Sequence, residues 1–311
     1  MIVFEKQKLQ LNRYQADGIL LLTAAIWGGG FAAQRIAVQF LGPMMINGIR
    51  FLLAAAFLLP FAHFRVEISK SNLPGVILAG AFLAIASNLQ QLGLRYTSAG
   101  NGGFITGLYV ILVPFFLWVF WQERVGWHTF LAAGIAVIGM LFINTGGALR
   151  FSSGDLYELA GAVFWALHVI LIGIMVRKMN VLSFSIGQFA ICGIVNLLSG
   201  FLFEPFQISN VWQAGWALLY AGIISGGIGY TLQAIGQRHS PASDAALILS
   251  MESVFAALFG YIFLQENTTS VQLIGYGLIF AAIVIAQILK PVPADQPRVS
   301  DSPHRIDQGL P

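Results

Sequence analysis

The sequence has few charged residues and a single cysteine. Only 9% of its 311 residues are charged and 57% are hydrophobic, whereas about a quarter of the residues of an average soluble domain are charged. This composition excludes an ordinary water-soluble domain and indicates a membrane protein. The cysteine, Cys192, lies within an apolar run, which excludes a disulfide framework and is typical of a small buried side chain.

Motifs of enzymes and of ATP-driven proteins are also absent. The sequence has no His-Glu-x-x-His, no Gly-x-Ser-x-Gly and no Gly-Lys-Ser/Thr. His239 and Asp244 match the His-x4-Asp spacing of some acyltransferases, but so short a pattern arises easily by chance. Asp244 also follows Ser240-Pro241 in a first helical turn, where a carboxylate complements the helix dipole. We therefore predict no enzymatic activity, no cofactor, no metal ion and no nucleic-acid partner; a membrane-embedded acyltransferase is a distant alternative.

Ten apolar segments follow one another along the chain. Most approach the roughly 20 residues that a helix needs to cross a hydrocarbon layer of about 30 Å, and none alternates as the strands of a membrane barrel do. We number the segments spans 1 to 10: Ala16 to Gln34, Pro43 to Ala62, Pro74 to Leu94, Gly100 to Trp121, Thr129 to Asn144, Leu156 to Val176, Val181 to Phe203, Trp212 to Ile235, Ala242 to Leu264 and Val271 to Leu289. The sequence thus predicts an all-α, polytopic membrane protein.

The two halves of the chain resemble each other. Matched residues in the later part of each half are separated by 232−89 = 143 residues, and matched residues in the earlier part by 165−27 = 138 residues. The matched sets are Leu89, Gln90, Gly93, Arg95, Ala99 and Gln122-Glu123 with Leu232, Gln233, Gly236, Arg238, Ala242 and Gln265-Glu266, and Asp17, Trp27 and Arg50-Phe51 with Asp155, Trp165 and Gln188-Phe189. Such self-similarity indicates a duplicated unit. Each copy is predicted to contain five spans.

Positively charged residues are distributed unevenly between the predicted loops. With the N terminus in the cytoplasm, only Arg35, Arg95 and Arg150 face outward. The residues that then face the cytoplasm are Lys6, Lys8, Arg13, Arg65, Lys70, Arg124, Arg177, Lys178, Arg238, Lys290, Arg298 and Arg305. This bias predicts that both termini are cytoplasmic. Because each copy has an odd number of spans, the second copy begins on the opposite side of the membrane, so the repeats are inverted, as in alternating-access carriers.

These features divide the chain into five parts. We predict a cytoplasmic N-terminal segment at 1–15, repeat 1 at 16–145, an external linker at 146–154 and repeat 2 at 155–290. The remaining residues, 291–311, are rich in Pro, Asp and Ser and are expected to form a disordered cytoplasmic tail.

Polar and aromatic side chains inside the spans are the candidates for a substrate cavity, because lipid does not solvate polar groups and they must join helices or line a wet cavity. Trp27 and Trp165 are equivalent residues about ten positions inside their spans, so we expect both in the interior. His168 is a candidate ligand or proton relay; a hydrogen-bonded packing role is the alternative. The predicted cavity residues are Trp27, Asn88, Gln90, Asn101, Tyr109, Trp165, His168, Tyr230 and Gln233.

Two charged residues within the spans are candidates for coupling and gating. Glu252 lies about 15 Å from the start of span 9, near the membrane midplane, where an acid is a candidate proton acceptor or substrate-amine partner; a carboxylate locked to neighbouring helices is the alternative. Arg50 lies about 10 Å into span 2, where it is a candidate for substrate carboxylate binding or gating. Pairing with an acid or with helix-end carbonyls is the favoured interpretation. The equivalent positions hold Tyr109 and Gln188.

Several motifs together resemble one known family. Trp27-Gly28 in span 1, Arg50-Phe51 in span 2 and Gln-Glu at the ends of spans 4 and 9, within two five-helix repeats, resemble the drug/metabolite transporter superfamily in its ten-helix EamA-type branch. The resemblance covers Asp17 to Leu289. Members of that family often have Glu-Pro in the middle of the ninth helix, where this chain has Glu252-Ser253, so a proline kink is not carried over.

The resemblance implies a secondary transporter of small metabolites, and the family's exporters include carriers of amino acids. We predict export of amino acids or similar metabolites across the inner membrane by alternating access, with a small-molecule substrate, the lipid bilayer and candidate coupling protons as partners. An uptake or exchange carrier for another metabolite, such as a sugar or nucleotide derivative, is the alternative. A channel or structural membrane protein is a third class.

Overall fold

The computed structural model describes residues 11–123, 125–145, 152–265 and 269–289. The predicted tail at 291–311, residues 1–10 and most of the predicted linker lie outside these ranges. Spans 1 to 5 consist of the helices Arg13–Ala37; Pro43–Leu58 with the 3-10 turn Pro60–Ala62; Leu73–Gly93; Ala99–Gly107 with Tyr109–Trp121; and Trp127–Thr145. Spans 6 to 10 consist of Ser153–Met175; Val181–Phe203; Gly215–Leu219, Tyr220–Gly229 and Tyr230–Gln237; Ala242–Leu249 with Glu252–Leu264; and Ser270–Ile288. A short helix, Ile208–Gln213, precedes span 8.

These helices confirm the predicted fold class. Within the described residues, seven helices are long and apolar enough to cross a membrane, and shorter apolar helices at Ile105–Trp121, Trp127–Phe142 and Ser270–Ile285 account for spans 4, 5 and 10. All the regular secondary structure assigned in the described ranges is helical, and these ranges contain no strand.

A side-chain cap determines where span 1 begins. The Asn12 Oδ1 accepts a hydrogen bond from the Gln15 backbone N–H at 2.9 Å, and the Gln15 Oε1 accepts one from the Asn12 N–H at 2.9 Å. This capping box satisfies two N–H groups that the first helical turn leaves free. The helix therefore begins at Arg13 rather than at Ala16, where hydropathy alone places the start.

The spans pack mainly against spans of the other repeat. Span 2 packs on span 7, span 5 on span 10, span 3 on span 6, and span 1 on spans 8 and 9. Span 3 is equivalent to span 8 and span 6 to span 1, so the contact between spans 3 and 6 corresponds to the contact between spans 8 and 1. In the other two pairs, spans 2 and 7 and spans 5 and 10, the partners are each other's equivalents. The contacts thus have the pseudo-two-fold symmetry that inverted repeats require.

Spans 4 and 9 are interrupted at equivalent positions. The helical hydrogen bonding of span 4 breaks at Leu108 and that of span 9 at Ser250 and Met251, and 251−108 = 143. In span 9 the Ser250 hydroxyl donates to the Leu247 carbonyl at 2.6 Å and the Ser253 hydroxyl to the Ser250 carbonyl at 2.8 Å. Serine hydroxyls that bond back to the preceding turn bend helices, so span 9 is interrupted without a proline at this site.

Span 8 contains a ten-residue π-helix, Tyr220–Gly229. Its glycines allow close contact with span 2, since a Cβ on Gly222 would lie 3.0 Å from the Arg50 carbonyl oxygen. π-helical turns are rare and often lie at functional sites. This one contributes Ser225 to the cavity described next.

Candidate functional site

A cavity lies between the two repeats, in the middle of the bundle. Its volume is about 420 Å³ when space open to solvent is included, but only about 30 Å³ is available to the centres of water molecules. The lining residues are Trp27, Phe31, Gln34, Arg50, Gln90, Thr106, Tyr109, Trp165, Val169, Ser225, Tyr230, Gln233 and Glu252. A water needs roughly 10–15 Å³ on this measure, so this conformation accommodates about two waters, and the cavity must widen to admit a metabolite.

The structure brings most of the predicted site residues together. Those that line the cavity are Trp27, Arg50, Gln90, Tyr109, Trp165, Tyr230, Gln233 and Glu252. His168 and Asn88 are not part of its wall, and the side chain of Asn101 lies outside the described part of the chain. The predicted set is therefore largely one site, with two described members in the surrounding layer.

Equivalent residues of the two repeats meet at this cavity. Trp27 and Trp165 both line it, as do Gln90 and Gln233, and as do Tyr109 and Glu252. Each pair differs by the offset of its part of the repeat, 138 residues for the tryptophans and 252−109 = 143 for the last pair. The cavity thus coincides with the pseudo-two-fold axis of the fold.

Tyr230 is the centre of an aromatic wall. Its ring centroid lies 4.7 Å from that of Trp27, 6.0 Å from that of Trp165 and 6.0 Å from that of Phe51. Trp27 is held by a hydrogen bond from its Nε1 to the Ser225 carbonyl at 3.2 Å, whereas no partner among the described residues accepts from the Trp165 Nε1. The wall is therefore apolar, with one N–H group left for a ligand.

Arg50 is buried beside this wall with its charge unpaired. Its side chain is 2% exposed, its Nη1 donates to the Gln34 Oε1, and its guanidinium carbon lies 4.5 Å from the centroid of the Phe51 ring. Among the described residues, no carboxylate forms a salt bridge with it, and its Nε and Nη2 have no acceptor. The favoured pairing with an acid is thus not formed in this conformation, and two donors remain for an anionic group.

Glu252 lies on the same cavity without a cation. It is 3% exposed and lies close enough to Tyr109 for the two groups to interact electrostatically. Neither the Glu252 Oε1 nor the Tyr109 hydroxyl has a hydrogen-bond partner of good geometry in the described part of the chain. A buried carboxyl group of this kind requires a proton, water or a ligand cation.

His168 and Asn88 connect helices behind the cavity. The His168 Nε2 lies 2.8 Å from the Gln188 Oε1. This contact fits the hydrogen-bonded packing role, the alternative to a ligand or proton relay. Asn88 joins spans 2, 3 and 7: its Oδ1 accepts from the Asn47 Nδ2 and its Nδ2 donates to the Asn196 Oδ1, both at 2.6 Å. Interhelical amide bonds of this type hold membrane helices together.

Sequence reasoning did not select Gln34 or Glu158 as site residues, and it named Thr106 only among the polar residues that join helices or line a cavity. Gln34 and Thr106 line the cavity, and the fully buried Glu158 accepts a hydrogen bond from the Thr106 hydroxyl at 2.9 Å. The signal for Glu158 was available, since an acid within a predicted span is a functional candidate by itself. Its place two residues after Leu156, the predicted start of span 6, made it resemble an interfacial residue.

The residues of the weak acyltransferase pattern have separate contacts. Asp244 lies in the first turn of Ala242–Leu249, as predicted, and its Oδ2 also pairs with the Arg13 Nη2. The His239 Nδ1 lies 3.2 Å from the Ile235 carbonyl oxygen of its own helix. Asp244 therefore links span 9 to span 1 at the end predicted to be cytoplasmic.

The inverted packing and the central cavity define a membrane transporter, and comparison with known proteins identifies the family. The model of the EamA-like transporter family matches the chain twice, at residues 15–145 and 152–287. The chain belongs to this family. Its membership indicates a multi-pass membrane protein that is a transporter rather than an enzyme.

Relatives of this chain are also transporters by name. An uncharacterized transporter of Archaeoglobus fulgidus is 32% identical over 279 residues, which cover 89% of this chain and 87% of that protein. The uncharacterized transporter YyaM of Bacillus subtilis is 29% identical over 258 residues, or 78% and 84% of the two chains. A solved structure titled "Crystal structure of protein" has the same fold, with a TM-score of 0.75 at 16% identity over 90% of this chain and 100% of that one.

Proposed function

We propose that the protein is a secondary transporter that exports amino acids or similar small metabolites across the inner membrane by alternating access. The observation that carries the proposal is the composition of the cavity. Arg50 and Glu252, both without a charged partner among the described residues, line it together with the rings of Trp27, Trp165 and Tyr230. The direction of transport rests on the resemblance to the family's exporters.

A zwitterion with an apolar side chain matches these groups. Its carboxylate would accept hydrogen bonds from the free donors of Arg50, its ammonium would face the Glu252 carboxylate, and its side chain would pack on the aromatic wall. An anion such as a sugar phosphate would leave Glu252 unmatched, and a simple amine would leave Arg50 unmatched. A buried ionisable group without its partner is costly, so the cavity favours the zwitterion over either.

The architecture supports alternating access. The narrow cavity lies on the pseudo-two-fold axis, and the two spans that carry Tyr109 and Glu252 are interrupted at equivalent points. Two like halves that exchange conformations would open the cavity first to one side and then to the other. Because the sequence has no nucleotide-binding motif, the work would come from a proton or substrate gradient or from the membrane potential.

Counterflow in proteoliposomes tests the substrate class. We expect saturable exchange of labelled phenylalanine and leucine, and at least about fivefold weaker competition from phenethylamine and phenylpropionate, because each leaves one buried charge unmatched at a cost of roughly 1–3 kcal/mol. Equal competition by either analogue, or preferred exchange of a sugar phosphate or nucleotide sugar, would contradict the amino-acid proposal. Flux that does not saturate would indicate a channel.

Glu252→Gln tests the acidic residue of the site. We expect this neutral isostere to weaken exchange of the zwitterion by about tenfold or more, since the ammonium loses its counter-charge, and to reduce the pH dependence of exchange. Glu67→Gln, which neutralises an exposed acid outside the spans, is the matched control and should behave as the wild type does. Unchanged uptake and unchanged pH dependence in Glu252→Gln would show that Glu252 has no such role.

A further inference from the structure

We infer that Glu158 is a second proton-binding site, beside the outer half of the cavity and separate from Glu252, and that it exchanges its proton with the cavity past Thr106. The inference rests on the proposed function for its role in coupling. Glu158 lies five residues into Ser153–Met175, about 8 Å from the end of span 6 that is predicted to face outward.

Glycines of two neighbouring spans shape the pocket around the Glu158 carboxyl group. A Cβ on Gly93, at the end of span 3, would lie 2.7 Å from the Glu158 Oε1, and a Cβ on Gly102, in span 4, would lie 3.2 Å from the same atom. A side chain at Gly93 would displace the carboxyl group, and one at Gly102 would crowd it. The close approach of both glycines leaves the Oε1 in a closed site without a hydrogen-bond partner among the described residues.

No cation faces this carboxyl group in the described part of the chain. Span 3 presents Gln90 and Gly93 to it, and span 4 presents Gly102 and Thr106; none of these side chains titrates. The salt bridges of the described residues involve other acids.

The acids that act on Glu158 electrostatically are Asp155 and Glu252. Asp155, one turn earlier on the same span, is engaged with the backbone N–H and the hydroxyl of Ser152, at 2.7 and 2.9 Å. Both neighbours are acids, so neither supplies a positive charge to Glu158. The tyrosines nearest to the cavity, Tyr109 on span 4 and Tyr230 on span 8, offer no positive charge.

Hydrogen bonds join the Glu158 carboxyl group to the cavity wall. The Gln90 Nε2 donates to the Thr106 Oγ1 at 3.1 Å, and the Thr106 Oγ1 lies 2.9 Å from the Glu158 Oε2. The Oε2 is therefore the oxygen through which the carboxyl group contacts the residues of the cavity. A buried carboxyl group without a cation is far less costly in its neutral form than as an anion.

Thr106 connects this site with the cavity. Thr106 and Gln90 line the cavity, whereas Glu158 lies directly behind them. When the cavity widens and water reaches Thr106, the O–H bond of the Glu158 carboxyl group can break, with the proton passing to water as hydronium and the carboxylate accepting the hydrogen bond from Thr106. The site belongs to one repeat only, because the position equivalent to Glu158 is Leu20, 158−20 = 138.

Infrared spectroscopy tests the proton site without any transported substrate. Difference spectra of the full-length protein at two pH values should show the carbonyl band of a protonated carboxylic acid that is lost in Glu158→Gln and retained in Glu252→Gln and Glu67→Gln. Thr106→Val should shift the pH at which this band titrates, whereas Thr106→Ser, which keeps the hydroxyl, should not. A band unchanged in Glu158→Gln would overturn the inference, and so would the same titration in Thr106→Val and the wild type.

Reconstituted vesicles test the role in coupling. Glu158→Gln should keep counterflow at equal pH, since its side chain does not line the cavity, but should lose the stimulation of uptake by a proton gradient and the substrate-dependent proton movement reported by a trapped pH dye. If the wild type shows both and Glu158→Gln keeps both, Glu158 has no coupling role. If the wild type exchanges no amino acid, the proposed function fails while the spectroscopic result still decides whether Glu158 binds the proton.

Discussion

Spans 4 and 9 occupy equivalent places in the two repeats and have nearly the same backbone. Each is interrupted near its middle, and each ends at a glutamine in the left-handed conformation, Gln122 with φ of 53° and Gln265 with φ of 56°. Both glutamines donate their backbone N–H to the carbonyl five residues earlier. Non-glycine residues rarely adopt this conformation, so its presence at both positions reflects the common origin of the repeats.

The side chains of the two repeats differ where the backbones agree. Tyr109 in repeat 1 corresponds to Glu252 in repeat 2, and the residue equivalent to the buried Glu158 is Leu20. Arg50 corresponds to Gln188, which bonds to His168 instead of lining the cavity. Duplication therefore accounts for the scaffold and the aromatic pair, whereas divergence places each charge in only one copy. A cavity lined by one acidic side chain, Glu252, and one cationic side chain, Arg50, is possible only because the copies are no longer identical.

Arg50→Gln makes the repeats alike at this position and is expected to have the largest effect. Loss of a buried, charge-assisted contact with the substrate carboxylate costs about 2 kcal/mol or more, which corresponds to at least about 30-fold in apparent affinity. The concentration dependence of phenylalanine counterflow measures this loss. Arg95→Gln, at an exposed arginine on the same predicted face, is the control. An unchanged affinity would exclude Arg50 from carboxylate binding.

Gly28→Ala tests a difference in packing between the repeats. A Cβ on Gly28 would lie 2.6 Å from the Phe255 backbone carbon and 2.7 Å from the Ala256 nitrogen, so span 9 would have to move away from span 1. Such overpacking costs about 1–3 kcal/mol, or several degrees in Tm at roughly 2–4 °C per kcal/mol. Thermal unfolding in detergent measures the change.

The equivalent residue in repeat 2 is Ala166, since 166−28 = 138, and it provides the matched comparison. Ala166→Gly should cost only about 0.5–1 kcal/mol, through the greater freedom of glycine in the unfolded chain. If Ala166→Gly destabilises the protein as much as Gly28→Ala does, the tight approach of spans 1 and 9 is not the cause.

Asp244→Asn tests the difference between the two ends of the bundle and is expected to have the smallest effect. Arg13 pairs with Asp244 and, at 4.0 Å, with Asp17 at the predicted cytoplasmic end; the positions equivalent to Arg13 and Asp244 hold Phe151 and Asn101. This partly exposed pair must break before spans 1 and 9 separate there, and such pairs contribute at most about 1 kcal/mol.

We therefore expect Asp244→Asn to speed exchange by up to about fivefold at low ionic strength, and by less at high salt, which screens the wild-type pair. Initial rates of counterflow at two salt concentrations measure the effect. A rate that is unchanged or slower in a well-folded Asp244→Asn protein would show that this ion pair does not restrain opening.

The sequence predicted the fold because two independent patterns agreed. Hydropathy located the spans, and the repeat offset paired them. The same pairing identified residues that meet on the axis, since equivalent positions such as Trp27 and Trp165 must approach it together. The sequence did not distinguish a cavity residue from one that joins helices, because Asn88 and Gln90 are two positions apart and only three-dimensional packing separates their partners.

Two features of the site were not predicted from hydropathy and the repeat. The interruption of span 9 was not predicted, because it occurs without a proline; the hydroxyls of Ser250 and Ser253 bond to carbonyls of the preceding turn there. The apolar run of span 6 begins at Leu156 and therefore places Glu158 near the membrane surface. The helix itself begins earlier, after its cap residue Ser152, which lies outside that run. Helix caps and serine back-bonding are therefore the signals that would have sharpened the prediction.

The packing of each span mainly on the other repeat has a consequence for biosynthesis. Span 2 carries Arg50 but is covered chiefly by spans 7 and 8, which the ribosome makes more than a hundred residues later. A charge in the middle of an isolated helix costs about 2.5–3.5 kcal/mol on insertion scales. We therefore expect the first five helices to associate only loosely in the membrane during synthesis, with Arg50 kept near water or near the insertion machinery, until the second half completes the bundle.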